Sequence, residues 1–361
     1  MTDRGFLILA DISGFTAFVT STEFAHGPQV VAALLETVMT RLSPPLEIQE
    51  LEGDAVFALG PDGGPVQPLT LFELLEDAFV AFKDRQRQMV LGTTCSCNAC
   101  RSISRLDLKL IVHHGQFIRQ VVGGKSQAAG AEVILAHNLL KNRVTGPRAY
   151  MLLTKAALAE TGVDPGTAGM REHVESYGHL GAVRCVVHDL ESVWRRTTEA
   201  RVVRVEPANA IFTIDVMLPV SPAVAWDWLF SPDKIQRYEA TTKRIVQESG
   251  AAGRPGVGTR IHCAHTNEDI VETILDWRPF RYCTRDATRR PGNLTVRYTT
   301  DLAAQDGGTR VTTSMALPPA TPWWKRSVIR LLAPRVRTAF EANLRALERL
   351  LGKWRHSDQA I

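Results

Sequence analysis

Gly5-Phe-Leu-Ile-Leu-Ala-Asp11-Ile-Ser-Gly14-Phe15 and Glu52-Gly53-Asp54-Ala-Val-Phe-Ala58 decide how the first half of this 361-residue chain reads. The first stretch is an unbroken apolar run closed by an aspartate and a glycine, which predicts a buried strand ending in a turn. The second sets Asp54 in a Gly-Asp turn between two short runs, Leu46–Glu52 and Ala55–Leu59, which predicts a hairpin. Where two such strands are sheet neighbours, both carboxylates point at one spot. Carboxylate oxygens are what Mg and Mn ions prefer, and two ions can clamp a triphosphate while activating a hydroxyl. The turn after Asp11 leads into a predicted helix, whose first N–H groups would face phosphate oxygens. Taken singly, Asp11 is a cap signal and Asp54 a turn former; the pair carries the reading.

Outward from these stretches, residues 28–43 and 70–91 carry apolar positions three and four apart and predict helices. Residues 106–113 alternate as a strand, and 116–122 are expected to return beside it after Gly115. A helix over 130–141 and strands near 150–153 and 183–189 complete a mixed α+β pattern rather than a doubly wound sheet. Residues 197–207 read as a linker, which divides the chain into 1–196, 208–355 and a tail, 356–361. The second part opens with a strand (211–220) and a helix started by Ser221-Pro222. Alternating strands then run to about Leu317. A long amphipathic helix is predicted from Trp323 to Trp354, with Pro334 expected to kink or split it.

The strings LADISGF and EGDAVFA, 43 residues apart from Asp to Asp, resemble the two metal-binding motifs of class III adenylyl and guanylyl cyclases. His113-His114-Gly115 is similar to that family's strand ending in a His/Thr-Gly turn. Gly130-Ala-Glu-Val133 with Ala136 is similar to the helix that bears its later catalytic positions. The resemblance covers roughly residues 5–190. It implies a ferredoxin-like α+β fold, and a homodimer in which a second copy completes the active site. It also implies a purine nucleoside triphosphate bound with Mg or Mn. Asp11 and Asp54 would be the catalytic metal ligands, the Ile12 carbonyl would assist, and the amides of Ile12, Gly14, Phe15 and Thr16 would face the phosphates. Glu50 and Gln127 fall on the base-selecting positions. Glu50 matches the guanylyl pattern, whereas Gln127 matches neither pattern.

Two departures bear on turnover. In the family motif G-x-x-V-N-x-A-x-R, the Asn orients the ribose and the Arg stabilises charge on the transferring phosphate. Here those positions hold Ile134 and Asn138. Losing one such electrostatic contact costs about 3–4 kcal/mol. Lys141 or Arg143, one turn on, are the candidate substitutes. Metal and nucleotide binding are thus better supported than catalysis, and a nucleotide-sensing or dimerisation module without turnover is the alternative.

Cys95-Ser-Cys97-Asn-Ala-Cys100 crowds three thiols into a polar loop, which favours a soft metal such as Zn. A closed site needs four ligands, and the fourth is sought in Cys185, in a histidine such as His113 or His114, or in a partner chain. Redox-active thiols and unliganded loop cysteines are the alternatives.

The second part, 208–355, resembles the polyketide cyclase/START-like superfamily, carried by VMLPVSPAVAWDWLFSPDKIQRYEA and the later ILDWRPFRYCTR and TRVTTSMAL strands. The resemblance implies a helix-grip fold, an antiparallel sheet around a long C-terminal helix, and a small apolar ligand between them. Trp228, Trp277 and Tyr282 are the candidate pocket residues, although aromatics at such spacing are more often core. His262, His265 and Asp276 show no spacing that argues for a catalytic dyad. The basic excess lies from Lys325 to Arg355. A solvated helix face explains it better than nucleic-acid or anionic-membrane contact. With no secretory signal, no membrane-length apolar run and no disulfide-type cysteine pattern, the expected compartment is the cytoplasm.

Overall fold

The computed structural model describes residues 2–21, 26–92, 95, 97–178, 180–199, 202–239, 241–248, 255–265, 269–290, 292–319 and 321–358. The chain forms two compact units, Met1–Ala200 and Arg201–Ile361.

The first unit runs β1 (Thr2–Ser13), α1 (Phe15–Ser21), α2 (Gly27–Leu42), β2 (Glu47–Glu52), β3 (Ala55–Pro61) and α3 (Pro68–Gly92). It continues through α4 (Asn98–Ser102), β4 (Asp107–Val122), β5 (Lys125–Ala129), α5 (Ala131–Leu139), β6 (Tyr150–Thr154) and α6 (Lys155–Thr161). It closes with β7 (Arg171–Tyr177), β8 (Gly181–Asp189) and α7 (Leu190–Glu199). The strands lie in the order β2-β3-β1-β4-β6-β8-β7, with β5 paired to β4. β2, β3, β1 and β4 are antiparallel neighbours, and the two helical crossovers interleave as the split βαβ units of a ferredoxin-like fold. Only β4 and β6 pair in parallel among the described strands.

Sequence explains this sheet directly. β1 is buried from Gly5 to Ala10, because both of its faces are covered. Leu7, Leu9, Phe57, Leu59, Ile111 and Leu152 form one core with Val133 and Leu139 of α5. α2 buries Val30, Val31, Leu34, Leu35, Val38 and Leu42, the helical spacing that predicted it.

Gly115 was expected to turn the chain, but β4 runs through it as one strand of 16 residues. Gly115 instead pairs with Gly5, and a side chain there would strike Glu132, whose Cβ and Cγ would stand 3.0 and 2.8 Å from an added Cβ. The turn comes at Gly123 and Gly124, with φ of 59° and 82°, and β5 is the strand that returns. α7 extends to Glu199, inside the stretch read as a linker.

The second unit contains β9 (Phe212–Leu218), α8 (Pro222–Phe230), α9 (Pro232–Ile235), β10 (Thr242–Gln247), β11 (Arg260–His265) and β12 (Asp269–Arg278). β13 (Tyr282–Arg290), β14 (Leu294–Gln305), β15 (Gly308–Ala316) and α10 (Trp323–Asp358) follow. Its sheet, β10-β11-β12-β13-β14-β15-β9, is antiparallel throughout. α10 packs against β9 and β14, the helix-grip arrangement. α10 is continuous across Pro334, which neither splits nor ends it. Pro334 and Arg330 both lie on the exposed side, so the carbonyl that loses its partner is open to water. No helix among the described residues is long and apolar enough to cross a membrane.

Candidate functional site

Asp11 and Asp54 come together at one end of the first sheet. Asp11 is in register with Ala55 on β3 and with Lys109 on β4, and the Ile12 N–H donates to the Asp54 carbonyl at 3.1 Å. Burial, then the charge of Asp11, pushes the Asp54 carboxyl above its ordinary value. Gly14 follows with φ of 87°, which turns the chain from β1 into α1, so Phe15 and Thr16 form the first turn of α1 beside the pair.

Lys109 is the residue the sequence reading missed. Its ammonium stands 2.8 Å from Asp11 Oδ2 and donates to the Leu140 carbonyl at 3.1 Å. Asp11 is only 14% exposed and Lys109 19%, so the pair is poorly screened. In sequence Lys109 is a charge set between the apolar Leu108 and Leu110, and only the register of β1 with β4 places it opposite Asp11. Tyr150 lies close by, its hydroxyl donating to Asn142 Oδ1 at 2.8 Å and its pKa raised mainly by burial.

Ile134 and Asn138 sit on α5, with Ile134 60% exposed and no polar group to offer a ribose. His137 of the same helix reaches back to Glu52 in the hairpin, Nε2 to Oε1 at 3.1 Å. Lys141 and Arg143 are exposed beyond the end of α5. Glu50 is exposed on the edge strand β2, just after a bulge in its pairing with β3. Gln127 lies on β5, opposite Gln120.

Cys95, Cys97 and Cys100 are joined by a histidine, His26, rather than by His113 or His114. The four ligand atoms lie within 4.8 Å of one another. His26 Nδ1 is 3.5 Å from Cys97 Sγ and 3.6 Å from Cys100 Sγ, and the Cys100 N–H donates to Cys97 Sγ at 3.4 Å. That N–H, followed by His26, lowers the Cys97 thiol to about 6. The fourth-ligand candidates are engaged elsewhere. Cys185 is fully buried in β8, its thiol donating to the Val183 carbonyl. His113 bridges Thr154 and Glu132 at 2.9 and 2.6 Å, its pKa lowered mainly by burial. His114 pairs with Asp62 at 2.8 Å. His26 has no local motif with the cysteines, and only the fold brings it to them.

In the second unit a cavity of about 230 Å³ lies between the sheet and α10, walled by Phe230, Ile261, Ile270, Tyr298, Phe340 and Leu344 among others. It is not purely apolar. Arg285 Nη1 donates to Glu272 Oε2 at 2.7 Å, and the Tyr298 hydroxyl bonds the other Glu272 oxygen. Arg285 Nε is buried without a hydrogen-bond partner. Burial raises the Glu239 carboxyl and pushes the Cys263 thiol up to about 12.

Trp228, Trp277 and Tyr282 are not among the residues that wall this cavity. Trp277 packs edge-on against Trp226 and Phe230, and Trp228 lies under Lys234 and Arg237. The Tyr282 hydroxyl donates to Asp276. Trp228 is buried and Trp277 and Tyr282 are half-buried away from the space, which Phe230, Tyr238, Tyr298 and Phe340 face instead.

Residues 31–149 match a family described as a protein of unknown function, DUF2652, and residues 209–352 match one described as polyketide cyclase/dehydrase and lipid transport. Over 114 residues the chain is 31% identical to "Uncharacterized protein Rv2561/Rv2562" of Mycobacterium tuberculosis (strain ATCC 25618 / H37Rv). That match takes in 32% of this chain and 52% of the relative, so it spans about half the relative's length. The guanylyl cyclase Cya2 is similar over 52% of this chain and 91% of its own, with 15% identity and a TM-score of 0.40. Ara h 8.0201 is similar over 39% of this chain and 97% of its own, with 16% identity and a TM-score of 0.32. By strand order the first unit has a ferredoxin-like fold, and the second is a helix-grip domain whose residues 209–352 match the polyketide cyclase/dehydrase and lipid transport family.

Proposed function

We propose that the first unit binds a purine nucleoside triphosphate with Mg or Mn at Asp11 and Asp54, under the influence of a small apolar ligand in the second unit. One observation carries this reading: two carboxylates converge at the end of adjoining strands, and one is held above its ordinary value partly by the charge of the other. Such a pair gains from a cation between them. The Gly14 turn and the first turn of α1 come next, where nucleotide phosphates would lie. An open groove of about 680 Å³ beside them, lined by Phe15, Val19, Val31, Leu35 and Leu51, is the surface a second copy would cover. A homodimer would then complete the nucleotide site.

Glu50 presents a carboxylate that accepts from the N–H edge of guanine and repels the N1 acceptor of adenine. One mispaired polar contact of about 1–3 kcal/mol gives roughly tenfold discrimination or more.

A second reading keeps the nucleotide but not the turnover. It is favoured by the Lys109 ammonium, which already neutralises Asp11, and by Ile134 and Asn138 where ribose- and phosphate-contacting groups are expected. In the second unit the unpartnered Arg285 Nε calls for a ligand with one hydrogen-bond acceptor on an otherwise apolar body. The cavity is smaller than the roughly 300–1,000 Å³ of drug-sized sites, so that ligand is small.

Calorimetry of the full chain with ATP, GTP, CTP and UTP, each with Mn, combined with chromatography of the products, tests both readings. The expected result is Mn-dependent binding with GTP ahead of ATP. A cyclic product assigns an enzyme, and binding without product assigns a sensing module. No Mn-dependent binding of any nucleotide would contradict both.

A further inference from the structure

We propose that His26, Cys95, Cys97 and Cys100 hold one zinc ion in a closed structural site. Zn–S bonds of about 2.3 Å and Zn–N bonds of about 2.0–2.1 Å at tetrahedral angles put a sulfur and a nitrogen ligand about 3.6 Å apart. The two sulfur–nitrogen distances here are 3.5 and 3.6 Å, and all four ligand atoms lie within 4.8 Å of one another. Three thiolates and an imidazole suit zinc, whereas the hard oxygens of Asp11 and Asp54 suit Mg or Mn. The two metal sites therefore select different ions.

The ligands come from separate parts of the chain. His26 stands immediately before α2, while Cys97 caps α4 and Cys100 lies within it. The Cys100 N–H on Cys97 Sγ supplies the outer-shell support that a thiolate ligand needs. Four protein ligands fill a tetrahedral shell and leave no position for water or substrate, so the ion is structural rather than catalytic. What it ties down is α1 and α2: α1 packs against both α2 and α4, and α1 follows directly from the Asp11 turn. The zinc thus fixes the loop-helix segment beside the nucleotide site without itself touching that site. This inference stands on the cysteine–histidine cluster alone and does not depend on nucleotide binding.

The test is elemental analysis of the full chain, purified without a metal-binding tag from zinc-supplemented cells. One zinc per chain is expected in the parent and in the control Cys263→Ser. In Cys97→Ser and His26→Ala, competition with a chromogenic chelator should show zinc affinity reduced about 100-fold or more, beyond the 10–100-fold that loss of an outer-shell partner costs. Should these variants fail to fold, the parent still decides. Cobalt exchanged into it should give the ligand-field and charge-transfer absorption of a tetrahedral thiolate-rich site, and its three loop thiols should resist a thiol reagent until chelator is added. Background zinc in the parent would overturn the proposal. So would iron or copper in its place, octahedral cobalt, prompt reaction of all three thiols, or undiminished zinc in His26→Ala.

Discussion

Asp54 costs the first unit stability in the absence of a cation. Its folded pKa is raised by burial and by Asp11, so the folded state holds its proton more tightly than the unfolded chain does. The penalty is full above the folded pKa and disappears as pH falls below the unfolded value of about 3.9. Asp54→Asn should therefore raise the melting temperature at neutral pH, by about 1–2 °C at most because solvent screens the repulsion at a partly open site. The gain should shrink to nothing on acidification, and Mn should stabilise the parent more than the variant. A variant less stable than the parent at neutral pH would show that the carboxylates do not repel. The Asp54 carbonyl that receives the Ile12 N–H is untouched by the change. Asp11 and Asp54 were legible because each closes a short local pattern. Lys109 and His26 were not, since their importance arises from register across β1 and β4 and from a contact between segments about 70 residues apart.

Trp226 anchors α8, 1% exposed, with its ring against Phe230, Trp277 and Phe280. Trp226→Ala should destabilise the second unit by about 3–5 kcal/mol, through lost apolar burial and the cavity left behind. Urea unfolding would show this as an earlier second-unit transition. Mn-dependent nucleotide binding by the first unit should be unaffected if the two units carry separate cores. The lesson of β4 is similar in kind. Alternation fixed which residues face the core, but Gly115 looks identical in sequence whether it turns a chain or clears space for Glu132. Only the Gly5 pairing opposite distinguishes the two. Pro334 likewise reads as a helix breaker until its exposed position on α10 is known. Trp228 and Trp277 read as candidate pocket residues yet stand outside the cavity wall, because a pocket is defined by what the opposite helix leaves unfilled.

The chain joins two units of different chemistry. The first gathers carboxylates at the end of a sheet and a thiol–imidazole cluster near the following helices; the second encloses a small space with a buried Arg285–Glu272 pair. Both architectures were legible, since strand and helix order follow local patterning, whereas the lining of the cavity depends on side chains drawn from six strands and three helices. Everything proposed for the nucleotide site rests on Asp11 and Asp54 acting together on one cation. Paramagnetic resonance titration of Mn into the full chain with GTP, in the parent, Asp11→Ala and Asp54→Ala, measures that directly. The account predicts nucleotide-dependent capture of Mn by the parent and a loss of at least about tenfold in affinity, 1.4 kcal/mol, in each folded variant. Capture by either folded variant equal to that of the parent would contradict it.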